Sequence, residues 1–175
     1  APASMTDVGA GPGTAGWAAL EQWPSLADVE QVEAAPALAA LLKELDAASG
    51  LPALMAARVR EQALVQWQAE PRDLVVASYV LAEMPVAAMA DAVKKLWSAT
   101  GGVLVLMEPG TPEGFKRLQV ARRWLLGQGA VPVAPCTHGQ SCPMTGGDWC
   151  HFKQRVQRSR AHMHAKGASV PYEDE

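Results

Sequence analysis

Apolar stretches that predict strands alternate along this chain with segments of helical periodicity. A short apolar stretch at residues 5–8 leads into a glycine-rich turn, and an alanine-rich segment with Trp17, Leu20 and Trp23 follows it. Residues 27–33 predict a second strand. Leucines then recur at helical spacing from Pro36, which suits the first turn of a helix, to a terminating Ser-Gly pair.

The middle of the chain gives one ambiguous region and one clear strand. Residues 51–67 fit neither period, so we predict a helix near their start and a weak third strand at residues 63–67. Residues 73–81 form a continuous β-branched and apolar run, which is typical of a central parallel strand buried on both faces. The remaining predicted elements are a helix at 89–97 after Pro85, a fifth buried strand at 103–107, and a helix at 115–126.

This alternation predicts an α/β protein with an open, mostly parallel, Rossmann-like sheet and helices on both faces. Ligands of such sheets bind at the carboxyl ends of the strands. We therefore expect four segments to meet at one edge of the sheet. They are Gly9 to Gly13, Glu33, Ser78 to Glu83, and Glu108 to Gly110.

Composition and charge narrow the class of protein. The chain has 175 residues, of which 49% are hydrophobic and 19% charged, and its net charge is -3. This length suits one domain, and no apolar run approaches a membrane span. We see no signal-peptide pattern and interpret the chain as a segment of a longer protein, truncated at both ends. The expected location is a bacterial cytoplasm, with the mitochondrial matrix as the alternative.

The glycine-rich turn predicts a nucleotide-type binding site. Gly9, Gly11 and Gly13 permit positive φ, and the first amides of the next helix are free to bond a polar ligand group. Such a motif occurs in both dinucleotide and S-adenosylmethionine sites. Asp7, two residues before the first glycine, makes the motif resemble the first motif of class I methyltransferases, and Glu33 stands where an acidic ribose-binding residue is expected. The alternative is a tight turn without a ligand.

Three cysteines within fifteen residues suggest a metal site. Cys136, Cys142 and Cys150 are separated by five and seven residues, and an odd count does not suit a disulfide framework. Soft sulfur ligands favour zinc or iron–sulfur clusters, although zinc sites usually carry closer cysteine pairs. His138 or His151 could complete a zinc site, or a fourth cysteine could lie beyond Glu175. Three free thiols are the remaining alternative.

A basic segment follows the cysteines. Its cations stand without an acidic residue until Glu173, and they include Lys153, Arg155, Arg158 and Arg160. Positive charge of this kind binds the phosphate backbone of RNA by displacing counterions. A solvated helix face explains the same charges equally well.

Several motifs together resemble one family. They are DVGAGPGTA from Asp7, VVASYVLAE from Val75, EPGTPEGF from Glu108, APC from Ala134, CPM from Cys142, DWCHF from Asp148 and PYEDE from Pro171. Together they resemble the methyltransferase-like proteins associated with the small ribosomal subunit, known as mitochondrial small-subunit assembly factors and their bacterial relatives. The resemblance covers nearly the whole chain.

The resemblance implies a class I methyltransferase fold, a cofactor, a cluster and a partner. It places S-adenosylmethionine at Asp7, Gly9, Ala10, Gly11, Gly13, Thr14, Glu33 and Ser78. A four-iron–four-sulfur cluster is implied at Cys136, Cys142 and Cys150, with a fourth cysteine and the last strands of the sheet further along the family's chain. The implied partner is the small ribosomal subunit with its RNA, and no membrane is expected.

These observations divide the chain and leave three functions open. The divisions are a cofactor-binding domain at 1–133, a cysteine-rich metal loop at 134–152 and a basic segment at 153–175. The first function is an assembly factor that binds S-adenosylmethionine without turnover. The second is an active RNA methyltransferase in which Tyr79 or Glu83 orients or deprotonates the substrate. The third is a zinc-dependent nucleic-acid-binding module.

Overall fold

A computed structural model describes residues 1–144, 147–167 and 172–174 of the chain. The strands are β1 (Ser4–Val8), β2 (Asp28–Glu33), β3 (Arg58–Glu61), β4 (Arg72–Ser78), β5 (Thr100–Met107), β6 (Arg155–Gln157) and β7 (Tyr172–Asp174). The helices are α1 (Thr14–Gln22), α2 (Pro36–Ala48), α3 (Pro52–Met55), α4 (Val86–Ser98), α5 (Pro112–Gly127) and α6 (Arg160–Lys166).

The first five strands form one parallel sheet in the order β3-β2-β1-β4-β5. Met5 in β1 lies opposite Val29 in β2 on one side and Leu74 in β4 on the other. Because all neighbouring pairs are parallel, every carboxyl end lies at the same edge. The predicted open parallel α/β sheet is confirmed.

Buried side chains cover both faces of this sheet. One cluster, on the side of α1 and α3, contains Met5, Ala19, Leu26, Val29, Leu54, Leu74 and Val76. A larger cluster, on the side of α4 and α5, contains Val8, Val32, Leu64, Trp67, Val75, Ala77, Leu81, Met89, Ala92, Val93, Leu96, Ala99 and Ala121. Alternate residues of one strand enter opposite clusters, as the period of a strand requires.

The third strand lies earlier than the sequence predicts. β3 spans Arg58–Glu61, whereas the predicted residues 63–67 form a turn that buries Trp67. β3 is an edge strand, so its charged side chains reach solvent or neighbouring acids: Arg60 bonds Glu30 at 3.1 Å. The prediction was wrong because it treated the charges as interruptions of a buried strand.

The other strand predictions need smaller corrections. β4 ends at Ser78, three residues before the predicted end, because Tyr79 adopts a left-handed backbone with φ 62°. β5 begins at Thr100 and takes in glycines that were expected to end the preceding helix. β5 is not buried: it lies at the edge of the sheet, and Val103 is 49% exposed.

The helices also begin earlier than expected in two places. α4 begins at Val86 and α5 at Pro112, each three residues before the prediction. In α5 the hydroxyl of Thr111 accepts a hydrogen bond from the Gly114 N–H at 3.1 Å and caps the helix. These boundary shifts leave the order of elements unchanged.

Beyond the parallel sheet the described chain is less regular. Residues 128–154 contain no helix or strand in their described part, and β6 pairs with β7 in a separate antiparallel sheet. α6 buries none of its residues. Among the described residues, no helix is both long and apolar enough to cross a membrane.

Candidate functional site

The four segments predicted to meet do meet at the carboxyl edge of the sheet, which we call the rim. The rim consists of the turn at Gly9–Gly13, Glu33 after β2, the loop at 79–85 after β4, and Glu108–Gly110 after β5. Direct bonds join them: the Gly11 N–H donates to Glu33, and the Leu81 N–H donates to Glu108.

The glycine turn has the geometry that its sequence predicts. Gly9, Gly11 and Gly13 have φ of 71°, 53° and 86°. The N–H groups of Gly9 and Ala10 donate to the Val32 carbonyl at 2.8 and 3.0 Å, which fixes the turn to β2.

The surroundings of the glycines differ. A Cβ at Gly9 would lie 2.4 Å from the Val80 Cγ2, whereas a Cβ at Gly11 would meet no atom within 4 Å. Gly9 is therefore required by close packing against the loop after β4, and Gly11 faces open space.

Helix α1 presents its amino end to this open space. Gly13 is its N-cap in a left-handed conformation and has no side chain to cap the helix, while the buried Asp7 carboxyl lies at the Gly16 N–H of the first turn. Thr14 is exposed at the first helical position. The first N–H groups of a helix have no partner within the helix, and the helix dipole favours negative charge beside them. The turn and helix can therefore bind an anionic or acceptor group.

Glu33 lies against the turn. One carboxylate oxygen accepts the Gly11 N–H at 2.8 Å and the other accepts the Ala35 N–H at 2.7 Å. Glu33 is buried at the end of β2. Each carboxylate oxygen can accept a second hydrogen bond. The predicted ribose-binding acid is thus fixed in orientation and retains acceptor capacity.

Asp7 lies beneath the turn and is almost completely buried. Burial raises the pKa of Asp7 from 3.8 to about 7, the charges of Glu33 and Asp46 add to the rise, and the nearby Gly16 N–H opposes it. A carboxyl with this pKa carries a proton in about half of the molecules at neutral pH. Asp7 is therefore a perturbed acid directly below the predicted cofactor turn.

The sequence analysis missed two polar residues below the turn, Gln31 and Asp46. Both are buried, and a Cβ at Gly13 would lie 3.2 Å from the Gln31 Nε2 and 3.9 Å from the Asp46 Oδ1. Burial raises the pKa of Asp46 and the Gln31 side chain opposes the rise.

None of the amide and carboxylate atoms of Gln31 and Asp46 has a partner with hydrogen-bond geometry within the described chain. Two signals in the sequence could have found these residues. Gln31 is a polar residue within the apolar strand β2, and Asp46 follows the buried Leu42 at a spacing of four.

The loop after β4 carries the two predicted catalytic candidates. Tyr79 has a left-handed backbone and a side chain that is half exposed at the rim, and its N–H donates to the Met107 carbonyl at 2.7 Å. Glu83 is exposed further along the loop, and Ser78 is partly buried at the strand end. A left-handed tyrosine is strained, and such strain clusters at functional sites.

The predicted metal ligands do not converge. Cys136, Cys142 and Cys150 are free, partly buried thiols. In the described ranges, which omit residues 145–146, no group of three His, Cys, Asp or Glu side chains could hold a metal ion. The His151 ring stacks on Trp149 with a 5.4 Å centroid distance, and the His138 carbonyl accepts a bond from Arg122. The described side chains of this loop therefore form no metal site.

The predicted RNA-binding residues do not belong to the parallel sheet. Lys153, Arg155 and Arg160 are exposed and Arg158 is partly buried, in and around β6 and α6. On α5, Arg117 is nearly buried, with 13% of its side chain exposed.

Solved structures define the class of protein to which this architecture belongs. The chain is similar to a putative RNA methyltransferase from Pyrococcus horikoshii, with a TM-score of 0.53 and 19% identity over 71% of this chain and 56% of that one. It is also similar to an O-methyltransferase of Brevibacillus brevis in complex with S-adenosyl-L-homocysteine, with a TM-score of 0.51 and 18% identity over 60% of this chain and 35% of that one. The fold is therefore the Rossmann-like methyltransferase fold.

Sequence comparison identifies the family. The model of the mitochondrial small ribosomal subunit Rsm22 family matches residues 1–175, so this chain belongs to that family. The resemblance drawn from the motifs is confirmed.

Two relatives illustrate how much of the family's length is present. The human ribosome assembly protein METTL17, mitochondrial, is 32% identical over 167 residues, or 87% of this chain and 36% of the relative. The Rsm22-cox11 tandem protein 2, mitochondrial, of Schizosaccharomyces pombe is 32% identical over 173 residues, or 86% of this chain and 23% of the relative. The chain thus spans about a third or less of these relatives.

Proposed function

We propose that this chain binds S-adenosylmethionine at the rim and acts in the assembly of the small ribosomal subunit. The observation that carries the proposal is the glycine turn, in which Gly11 opens onto free space while its N–H is held by Glu33. The Brevibacillus O-methyltransferase of similar fold is described in complex with S-adenosyl-L-homocysteine, which supports this cofactor class. The assembly role is supported by the name of the human relative.

The residues of the rim fit S-adenosylmethionine. Glu33 can accept hydrogen bonds from ribose hydroxyls with its remaining lone pairs, and the amino end of α1, where Thr14 is exposed, can receive a carboxylate. Asp7 supplies an acid below the turn. The bound cofactor would supply a transferable methyl group, and the chain's own part is to bind and orient it.

A second candidate function is methyl transfer to RNA. Tyr79 favours it, because a strained aromatic residue at the rim is placed where a substrate can contact it. Methyl transfer by the protein to small-subunit RNA, abolished in Asp7→Asn, would establish this candidate and exclude a purely binding role.

Metal binding remains a separate prediction. Because the described side chains assemble no metal site, no part of the proposed function depends on iron–sulfur or zinc. Iron, sulfide and zinc content of protein purified without oxygen decides between the alternatives. Iron and sulfide that are lost in Cys142→Ser support a cluster, whereas zinc alone at one per chain supports the nucleic-acid-binding module.

RNA contact is proposed for the basic segment. The double variant Lys153→Gln, Arg160→Gln should weaken RNA binding and lower its salt dependence. With two fewer cations, the protein neutralises fewer phosphates and so releases fewer counterions on binding. Lys43→Gln, Lys94→Gln is a matched control with the same charge change on α2 and α4. Equal effects of both double variants on RNA binding would contradict a specific role of the basic segment and support the alternative of a solvated helix face.

The cellular location that we propose for this chain is based on the names of its relatives. The named relatives from human and fission yeast are mitochondrial proteins, which supports the mitochondrial matrix, the alternative to a bacterial cytoplasm.

The cofactor proposal can be tested with two glycines that share one geometry. Gly11 and Gly50 both have positive φ, 53° and 69°, and a Cβ at either would meet no atom within 4 Å. Each change to alanine should therefore cost about 1–2 kcal/mol of unfolding free energy through backbone strain alone. Only Gly11→Ala should reduce S-adenosylmethionine affinity, by tenfold or more in calorimetry. Equal affinity in the two variants would contradict binding at the turn.

A further inference from the structure

Two charged side chains form hydrogen bonds to the backbone of the loop after β4. Glu108, at the end of β5, accepts the Leu81 N–H at 2.9 Å. Arg117, on α5, donates through Nη1 to the carbonyls of Leu81 and Met84, the latter at 2.9 Å. Three backbone groups of one loop are thus bonded by side chains from the next strand and helix.

Both side chains are unusually buried for charged groups. Glu108 is 8% exposed and the Arg117 side chain 13%. Within the described residues, Arg117 forms an ion pair with the exposed Glu113 at 3.4 Å. Burying charges is unfavourable unless their bonds are satisfied, and apolar residues of similar size usually pack as well. The two charged side chains are therefore explained by their hydrogen bonds to the loop.

The capping of α5 does not need either residue. Thr111 caps the helix, and Pro112 occupies its first position, where no N–H is required. Arg117 lies in the interior of α5, and its guanidinium reaches the loop rather than solvent. Their placement is explained by the loop and not by the helix that carries Arg117.

The loop needs such support because it begins with a strained residue. Tyr79 has φ 62°, a conformation that a bulky side chain rarely adopts. Its N–H is tied to the Met107 carbonyl at 2.7 Å, and Val80 fills the space that a side chain at Gly9 would take. The strain persists only where the surroundings fix the backbone on both sides of the residue.

Glu108 has further neighbours that make its charge state depend on the loop. Burial raises the pKa of Glu108 and the Glu83 charge adds to the rise, while the N–H groups of Leu81 and Ala82 and the Arg117 charge oppose it. Its second oxygen, Oε2, is buried with no hydrogen-bond partner within the described residues. The carboxyl is therefore buried against the loop, and its described hydrogen bond is the one to the Leu81 N–H.

We propose that Glu108 and Arg117 are positioning residues that fix the loop at 79–84 so that the Tyr79 ring forms one wall of the rim. This assignment rests on the proposed function for what the wall contacts. The two side chains act as a unit, which we call the Glu108–Arg117 clamp. Removing either partner releases Leu81 on one side and lets Tyr79 return to an unstrained backbone conformation.

The chain offers a direct probe of the loop, because its sequence contains only two tyrosines, Tyr79 and Tyr172. Protein labelled with 3-fluorotyrosine should give two fluorine NMR signals, and Tyr79→Phe identifies the one from Tyr79. In Glu108→Gln and Arg117→Met, we expect the Tyr79 signal to shift and broaden while the Tyr172 signal is unchanged. Arg117→Lys retains one cationic donor, so its shift should be intermediate.

Arg122→Met is the matched control. Arg122 lies on the same helix and also bonds two carbonyls, those of His138 and Gln140, but in a different loop. It should leave the Tyr79 signal in place. Spectra are recorded well below each variant's thermal midpoint, so that a general loss of stability does not move the signal; if Arg117→Met fails to fold, Glu108→Gln and Arg117→Lys decide.

A Tyr79 signal unchanged in Glu108→Gln and in the Arg117 variants would overturn the clamp, as would an equal shift in Arg122→Met. These spectra need no ligand, so they are independent of the proposed function. Calorimetry with S-adenosylmethionine tests that function separately. Absence of binding by the wild-type chain would reject the cofactor proposal, while a shifted Tyr79 signal would still establish the clamp.

Discussion

The rim and the segment at 134–167 both carry predicted functional residues, but these residues are mostly buried at the rim and mostly exposed or partly buried in the later segment. At the rim, Asp7, Glu33 and Glu108 are buried, and backbone bonds hold the last two. In the later segment the described cysteines are partly buried free thiols, and most of the basic residues are exposed. Hydrogen bonds within the chain fix the geometry of the rim, whereas the described side chains of the later segment form no metal-binding centre.

The two regions differ in what fixes the positions of their side chains. Buried polar groups must be satisfied inside the protein, so they fix side chains before any ligand binds. Exposed charges gain little from one another in water, and their arrangement depends on the partner. We therefore expect perturbations at the rim to change stability and those in the later segment to change binding.

The largest expected effect is the pH dependence that Asp7 gives to folding. Its pKa rises from 3.8 to about 7 on folding, so the folded state binds the proton more tightly. Stability from this group is complete below pH 4 and is lost as pH rises through 7, by roughly 4 kcal/mol. Denaturant unfolding from pH 4 to 8 should show this loss. Asp7→Asn should remove the part due to Asp7 and leave the part due to Asp46 and Glu108, whose pKa values burial also raises.

Asp73, at the amino end of β4, serves as a control because its pKa shift has the opposite sign to that of Asp7. The N–H groups of Ala3 and Ser4 and the Ser4 hydroxyl lower the pKa of Asp73, so its contribution is present above pH 4 and is lost as pH falls. Asp73→Asn should leave the loss of stability between pH 4 and 7 unchanged. If wild type and Asp7→Asn have the same slope, the acid below the turn is not perturbed.

A second prediction separates the packing of the turn from its conformation. Gly9→Ala should lower the free energy of unfolding by about 3 kcal/mol, because left-handed strain and contact with Val80 add. Gly11→Ala should cost only about 1–2 kcal/mol, since its surroundings are open. Thermal and urea unfolding measure both, and equal losses would mean that the loop after β4 does not press on the turn.

A third prediction concerns the turn that the sequence analysis misread as a strand. Trp67 is buried, and its Nε1–H donates to Glu30 at 3.3 Å. Trp67→Phe should cost about 2 kcal/mol through a small cavity and the lost bond to a charged acceptor. Arg60→Gln, which removes the exposed partner of the same carboxylate, should cost less than about 1 kcal/mol. A larger loss in Arg60→Gln than in Trp67→Phe contradicts this assignment.

The smallest effect is expected in the later segment. Phe152 is 72% exposed, so Phe152→Ala should change the unfolding free energy by less than about 0.5 kcal/mol. The same substitution should weaken RNA binding if the ring stacks on a base. A stability loss near that of Trp67→Phe would show that this segment has a core of its own.

Local patterns predicted much of the fold. The glycine spacing predicted the turn, the apolar runs predicted β1, β2 and β4, and the helical periods predicted α2 and α4. The strand predictions were wrong or inexact where the position of a strand in the sheet, and not its local pattern, decides which side chains are exposed. β3 and β5 are edge strands, and a charged or apolar run does not say which strand will lie at an edge.

Local patterns in the sequence were enough to predict the order of strands and helices up to α5 and the segments that reach the carboxyl edge of the sheet. These follow from side-chain period, turn chemistry and the family's motifs, all of which act over short stretches of chain. Only the tertiary structure brought Gln31 and Asp46 beneath the turn and turned Arg117 inward to the loop after β4. Such contacts join residues far apart in the chain, and their energies depend on burial, which no local pattern contains.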